Sequence, residues 1–163
     1  MAETVLARVQ ASPVRRWIGV AMLGLIGALV LYAAMTTPPS PLWELFLVGV
    51  GALAFFLAAR MWQATGAVIE LTETELRDSS GDAIAAVAEI TGIERGAFAF
   101  KPSHGFLVRT RAPGPRAWRP GMWWRIGRRV GIGGVTPGAQ TKAMSEILAQ
   151  MLASRDRPGG PLS

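Results

Sequence analysis

Residues 95–145 carry ten basic side chains and no acidic one. Arg109, Arg111, Arg116, Arg119, Arg125, Arg128 and Arg129 lie there, interleaved with Trp118, Trp123 and Trp124. A guanidinium fork can hold a phosphate or a carboxylate bidentately, and an indole settles where an apolar phase meets water. Together they offer a surface for an anionic headgroup or an acidic protein partner. The preceding stretch is the reverse: Glu70, Glu73, Glu75, Asp78, Asp82, Glu89 and Glu94 stand against Arg77 alone. The bland reading of the basic half stays open beside the binding one. Arginines at alternate positions also make a solvated strand face, Trp124 has the parity of a core residue, and Trp118 could cover the end of a sheet.

Catalytic patterns fail on spacing. Gly131-Ile132-Gly133-Gly134 with Gly138 suggests a phosphate loop, but Ala139 follows where a lysine is required and Lys142 comes too late. A dinucleotide fingerprint lacks both its glycine spacing and a βαβ setting. His104 is the sole histidine, flanked by Ser103 and Gly105, and reads as a turn residue. The chain has no cysteine, which excludes disulfides, thiol nucleophiles and cysteine metal sites, and is compatible with a reducing compartment. The acids of 70–94 are too scattered for a carboxylate pair. No cofactor and no metal is implied, and the expectation is a non-enzymatic protein.

Two apolar runs must position this surface. Trp17–Met35 has no charged residue and Leu42–Ala59 has one, Glu44. Each approaches the ~20 residues that span ~30 Å of hydrocarbon. Residues 36–41, Thr-Thr-Pro-Pro-Ser-Pro, cannot continue a helix and make a tight turn. The expectation is a transmembrane hairpin over 17–62, with helices at about 17–35 and 42–61. Arg15, Arg16, Trp17, Trp43, Arg60 and Trp62 are the candidate interfacial anchors. A twin-arginine export reading of Arg15-Arg16 fails, because the apolar run is too long and a second span follows directly. Glu44 reads as an interfacial carboxylate near a helix start. Gly24 with Ala28, and Ala54 with Ala58, are small-xxx-small pairs suited to close helix packing. Basic residues flank the hairpin while its turn has none, so the positive-inside rule places both termini in the cytoplasm. Such tethering leaves nucleic acid behind as a ligand.

After Gly66 the period changes to two. Ile69 with Leu71, then 75–78, 83–88, 89–95, Phe98 with Phe100, Phe106 with Val108, and 124–132 read as short strands separated by turn signals. A break is expected at Ala112–Pro115. In the last strand Trp124, Ile126, Val130 and Ile132 share one face, and Arg125 and Arg129 the other. A helix follows, with Thr136 as N-cap, Pro137 in its first turn, and an apolar stripe of Met144, Ile147, Leu148, Met151 and Leu152. The sum is a small antiparallel barrel closed by a C-terminal helix.

Thr72-Glu73-Thr74-Glu75-Leu76-Arg77, Gly81-Asp82, Ala88-Glu89-Ile90 and a terminal helix resemble the bacterial pleckstrin-homology-like domain, which also occurs behind pairs of membrane helices. The resemblance covers roughly residues 66–153. It implies a fold class of membrane α-helical hairpin plus a PH-like, mostly-β domain. The expected organisation is an N-terminal arm at 1–16, the hairpin at 17–62, the PH-like domain at 66–153 and a disordered tail at 154–163. The expected function is docking of a partner protein at the bacterial inner membrane, aided by anionic phospholipid. An anionic-lipid-binding module without a fixed protein partner is the alternative. The partner would be a membrane protein complex or a second copy of the chain.

Overall fold

The computed structural model describes residues 4–36, 40–94 and 102–155. Two 24-residue helices dominate its first half, α1 (Pro13–Thr36) and α2 (Pro41–Ala64). At 1.5 Å per residue each is about 36 Å long, enough for a bilayer core. Their mean hydropathies are 2.3 and 2.1, and only 11% and 17% of the most apolar windows are buried. Leu25, Leu29, Phe46 and Phe56 point outward from the pair. A helix pair wearing its apolar side chains on the outside is what a membrane accommodates and water does not.

The two helices run antiparallel and meet through small residues. A Cβ on Gly27 would sit 3.2 Å from the Gly51 carbonyl oxygen, and one on Gly51 only 2.6 Å from Leu31 Cγ. Ala34, Ala54 and Ala58 are buried alongside. The Ala54–Ala58 pair therefore packs as its spacing implies. The Gly24–Ala28 pair does not: nothing lies within 4 Å of a Cβ on Gly24, and Ala28 is exposed. The contact stripe of α1 is one helical step away, at Gly27 and Ala34. At the start of α2 the Ser40 carbonyl accepts the N–H groups of Trp43 and Glu44, at 2.8 and 3.1 Å. The Pro-rich turn at 37–39 lies outside the described residues.

The remaining elements are β1 (Val5–Gln10), β2 (Val68–Thr72), β3 (Glu75–Asp78), β4 (Ala83–Ala86), β5 (Ile90–Glu94), β6 (Phe106–Arg119), β7 (Trp123–Ile132) and α3 (Gly138–Arg155). They form two antiparallel sheets, β1-β2-β3-β4 and β5-β6-β7. The sheets are not closed into a barrel, so the expected antiparallel strands and C-terminal helix are present without the ring. The core between sheets and helix is built from Ile69, Leu71, Leu76, Ile84, Ile90, Phe106, Val108, Val130, Ile132, Met144 and Leu148. Ile147, Met151 and Leu152 complete the α3 stripe as partly buried neighbours.

Several boundaries differ from the sequence reading. Residues 1–16 are not a separate arm, because Val5–Gln10 is a strand whose Val9 is fully buried. It pairs with β2 across the whole hairpin, Gln10 opposite Val68 and Val9 opposite Ile69. The domain thus begins before α1, and the hairpin is an insertion between two neighbouring strands. Thr136 is not an N-cap: its hydroxyl is buried with no hydrogen-bond partner, and the Pro137 carbonyl takes the Gln140 and Thr141 N–H groups instead. The Pro/Gly break at 112–115 is absorbed within β6, which runs through it. Ser154 and Arg155 are helical rather than tail, while 156–163 and the strand expected at Phe98–Phe100 lie outside the described residues.

Excision of the hairpin tests this connectivity. A chain starting at residue 66 loses β1 and uncovers Ile69 and Leu71. It is expected to be insoluble or to melt without cooperativity. Residues 4–12 joined by a short Gly-Ser linker to 66–155 are expected to give a soluble domain with a cooperative transition by circular dichroism. In the hairpin, Gly51→Leu is expected to weaken detergent stability, whereas Gly24→Leu leaves the melting temperature unchanged.

Candidate functional site

The basic residues sit on the long β6–β7 hairpin, which bends in its middle. Between the pairs Arg109↔Arg129 and Gly114↔Gly127, β6 advances five residues and β7 two. The surplus is bulged out, and Gly127 adopts φ +58° there. The Met122 carbonyl accepts the Gly133 N–H at 2.8 Å, and the Gly121 carbonyl accepts that of Val135 at 3.0 Å. The tip of the hairpin and the end of β7 therefore meet, and the bend stands away from both.

The tip half adjoins the end of α2. A Cβ on Gly121 would lie 3.2 Å from Thr65 Cγ2 and 3.5 Å from Met61 Cε. Trp123 points inward, 3% exposed, and its Nε1–H donates to the buried carboxylate of Asp78 at 3.0 Å. Arg125 also points inward and donates from Nη1 to the Ile84 carbonyl at 2.6 Å. A Cβ on Gly114 would clash with that guanidinium at 2.0 Å, so a glycine there is what admits it. Arg119 forms an ion pair with Asp82. Arg116, Trp118 and Ile126 face outward and are exposed, while the half-buried Trp124 lays its ring over Gly131.

This arrangement corrects the face assignment of β7. Val130 and Ile132 are in the core as the alternation implies, but Ile126 is exposed and Trp124 only half-buried, whereas Trp123 and Arg125 are buried. The bulge at Gly127 shifts the alternation by one residue on its tip side. A glycine inside an alternating pattern is the signal that would have revealed it. Trp123 and Arg125 are therefore structural, not surface ligands.

The other half of the ribbon forms a groove of about 420 Å³ lined by Thr91, Arg109, Thr110, Arg111, Arg128 and Arg129. Arg109 pairs with Glu94. Arg111, Arg128 and Arg129 have no carboxylate partner among the described residues. Arg109 and Arg129 stand directly opposite each other on the ladder, an arrangement of like charges that costs stability when left uncompensated. The groove is at the end of the domain away from the hairpin. There, α3 starts beside the membrane helices, where Arg15 Nη1 donates to the Thr136 carbonyl at 2.9 Å and the Ser12 N–H to that of Val135 at 2.9 Å. Eighteen residues later, about 27 Å along the axis, Arg155 donates to the Ile90 carbonyl at 3.0 Å. Ile90 pairs with Thr110, at the floor of the groove.

The proposed interfacial anchors divide similarly. Arg16 donates to the Trp62 carbonyl at 2.9 Å and stacks over the Trp62 ring at 3.9 Å, and Trp17 meets that ring edge-on at 4.8 Å. Arg15 and Arg16 are thus engaged within the protein. Trp17 and Arg60 remain exposed, and Trp43 stacks on Phe46 at the opposite end of the hairpin. His104 is an exposed turn residue with φ 57°. No family model matches the chain, and no curated protein or solved structure matches it significantly.

Trp123→Phe removes the donor to Asp78 and leaves a buried carboxylate oxygen short of a partner. The expected loss is about 1–3 kcal/mol of stability. Trp118→Phe is expected to change stability by less than about 0.5 kcal/mol. Thermal unfolding of the detergent-solubilised chain compares the two.

Proposed function

We propose that this chain is a non-enzymatic, membrane-anchored interaction module of a bacterial cytoplasmic membrane. Its PH-like domain docks a partner protein at the membrane surface, and anionic lipid assists. The observation that carries this reading is the uneven neutralisation of charge. Several ions of the domain are matched within it: Glu70 is held by Arg8 and Arg77, at 3.1 and 3.2 Å, and Asp82 by Arg119. In the groove three arginines are left for something outside the described chain to neutralise. The two sheets with a C-terminal helix are compatible with a PH-like fold.

The pairing of β1 with β2 keeps both ends of the hairpin on one side of any bilayer it crosses. Arg8, Arg15, Arg16 and Arg60 lie near those ends, and the turn at 36–41 has no basic residue, which favours the cytoplasm for that side. Lipid assistance is assigned to the tip half. Arg116, Trp118 and Ile126 are exposed on the part of the ribbon that touches α2, where indole and guanidinium suit headgroups. Each basic residue near an anionic leaflet contributes about 1 kcal/mol. That exposed patch is also what supports the second reading, a lipid-binding module with no fixed protein partner.

Gentle solubilisation from native membranes followed by mass spectrometry of co-purifying proteins separates the two. A stoichiometric partner that survives detergent is expected. A chain that purifies alone, or as a homo-oligomer carrying only anionic lipid, would replace partner docking with the second reading.

A further inference from the structure

We infer that the groove between β5, β6 and β7 is a binding site for an acidic segment of a partner protein, gripped by Arg111, Arg128 and Arg129. This deepens the docking function proposed above and rests on it. Three observations converge. Cationic side chains that have no carboxylate partner among the described residues are gathered in one groove of about 420 Å³, more room than a single carboxylate or phosphate fills. The cross-strand pair Arg109↔Arg129 brings like charges together, and Glu94 compensates Arg109 alone. A ligand carboxylate between Arg129 and its neighbours would relieve that repulsion. The groove also lies at the Arg155 end of α3, about 27 Å along the helix from its membrane-side start. The field of an anionic leaflet decays over about 8 Å at physiological ionic strength. A groove at the end of the domain opposite the hairpin therefore favours a ligand in the aqueous phase over the chain's own bilayer.

The groove is built to stay open. Thr110 is buried beneath it, and its hydroxyl donates to the Ala112 carbonyl at 2.8 Å, which satisfies the bulged backbone from below. Thr91 donates to the Arg109 carbonyl at 3.2 Å and holds β5 against β6 along the rim. The guanidinium groups are left as the donors that face outward. An extended acidic segment laid along the groove would place successive carboxylates against successive forks. That geometry favours arginine over lysine, because the planar fork engages a carboxylate through two parallel N–H groups.

The test uses the full chain in nanodiscs of zwitterionic lipid and a short fluorescent oligoglutamate peptide, read by anisotropy at low salt. Arg128→Gln with Arg129→Gln is expected to weaken binding roughly tenfold or more, as the loss of two charge-assisted contacts implies. Arg8→Gln with Lys142→Gln removes the same charge elsewhere, at exposed side chains, and is expected to change binding by less than about twofold. Arg128→Lys with Arg129→Lys keeps the charge, guards against a folding defect, and is expected to fall between the two. Equal binding by the two glutamine pairs overturns the proposal. So does binding of inorganic pyrophosphate in the groove without any binding of the peptide. Loss of peptide binding when phosphatidylglycerol is placed in the same disc, read at physiological ionic strength where the leaflet's field is confined to about 8 Å, overturns it too, since the bilayer would then be the occupant. Failure of the peptide leaves a co-purifying partner docked elsewhere, whereas a binding groove with no co-purifying protein removes the wider docking reading alone.

Discussion

Everything in this molecule depends on one strand pair that closes around the apolar helical hairpin. Gln10 faces Val68, and between them the chain travels through both helices and back. Once β1 and β2 are paired, α1 and α2 must leave and return at the same edge of the domain. The junction is then braced from several directions. Arg15 reaches the Thr136 carbonyl, Arg16 stacks on Trp62, and Gly121 at the ribbon tip seats against Thr65 and Met61. A domain hung on one flexible linker could present any face to the membrane. A domain entered and left through adjacent strands presents one end to the hairpin and keeps the other free.

That polarity divides the basic half of the sequence into three populations that composition alone cannot separate. Arg125 is internal and bonded to a main-chain carbonyl, Arg109 and Arg119 are spent on Glu94 and Asp82, and Arg111, Arg116, Arg128 and Arg129 remain without carboxylates among the described residues. The acidic stretch 70–94 is explained in the same terms. Glu70, Asp82 and Glu94 each meet an arginine, and Asp78 is buried as an acceptor for Trp123 and for the Ser80 N–H at 2.9 Å. The segregation of charge along the chain is largely folded into intramolecular pairs, and what survives is local.

Much of the architecture was legible from residue patterns because strong, local constraints wrote it. Two long apolar runs with one charge between them read as apolar helices, and the Met144–Leu152 stripe as one face of a helix. The misreadings have local causes in some places and non-local ones in others. Small residues at 24 and 28 satisfy the spacing rule and Gly27, with Leu23 and Leu31 four residues to either side, does not, yet the partner helix selects Gly27. The β7 alternation of Trp124, Ile126, Val130 and Ile132 is broken at Arg128, next to Gly127, and that interruption marks where the faces exchange. Val5, Ala7 and Val9 alternate as a strand should, but their partner lies beyond two membrane helices, where no local pattern points. The arginine groove was legible only as composition. Its selection of Arg111, Arg128 and Arg129 from a larger set needed the bend, the pairing of Ile90 with Thr110, and the far end of α3.

The open gaps between the two sheets show why the strands do not complete a ring. At the β4 edge the meeting is made by side chains: Arg125 to the Ile84 carbonyl, Trp123 to Asp78, and Arg119 to Asp82. On the opposite side α3 bridges β1 and β5. Gln140 Oε1 accepts the Gln10 N–H at 2.9 Å near the start of the helix, and Arg155 meets the carbonyls of Val87, Ala88 and Ile90 at its end. Backbone pairing at either gap would require matched strand lengths and a continuous register. The bulged β6–β7 ribbon has neither. A buried arginine tolerates the mismatch, because its long stem and fan of donors reach a carbonyl that no straight strand could approach. The bulged ribbon thus meets β4 through side chains, while α3 stands in the gap between β1 and β5. The same ribbon sets Arg129 opposite Arg109 in the groove.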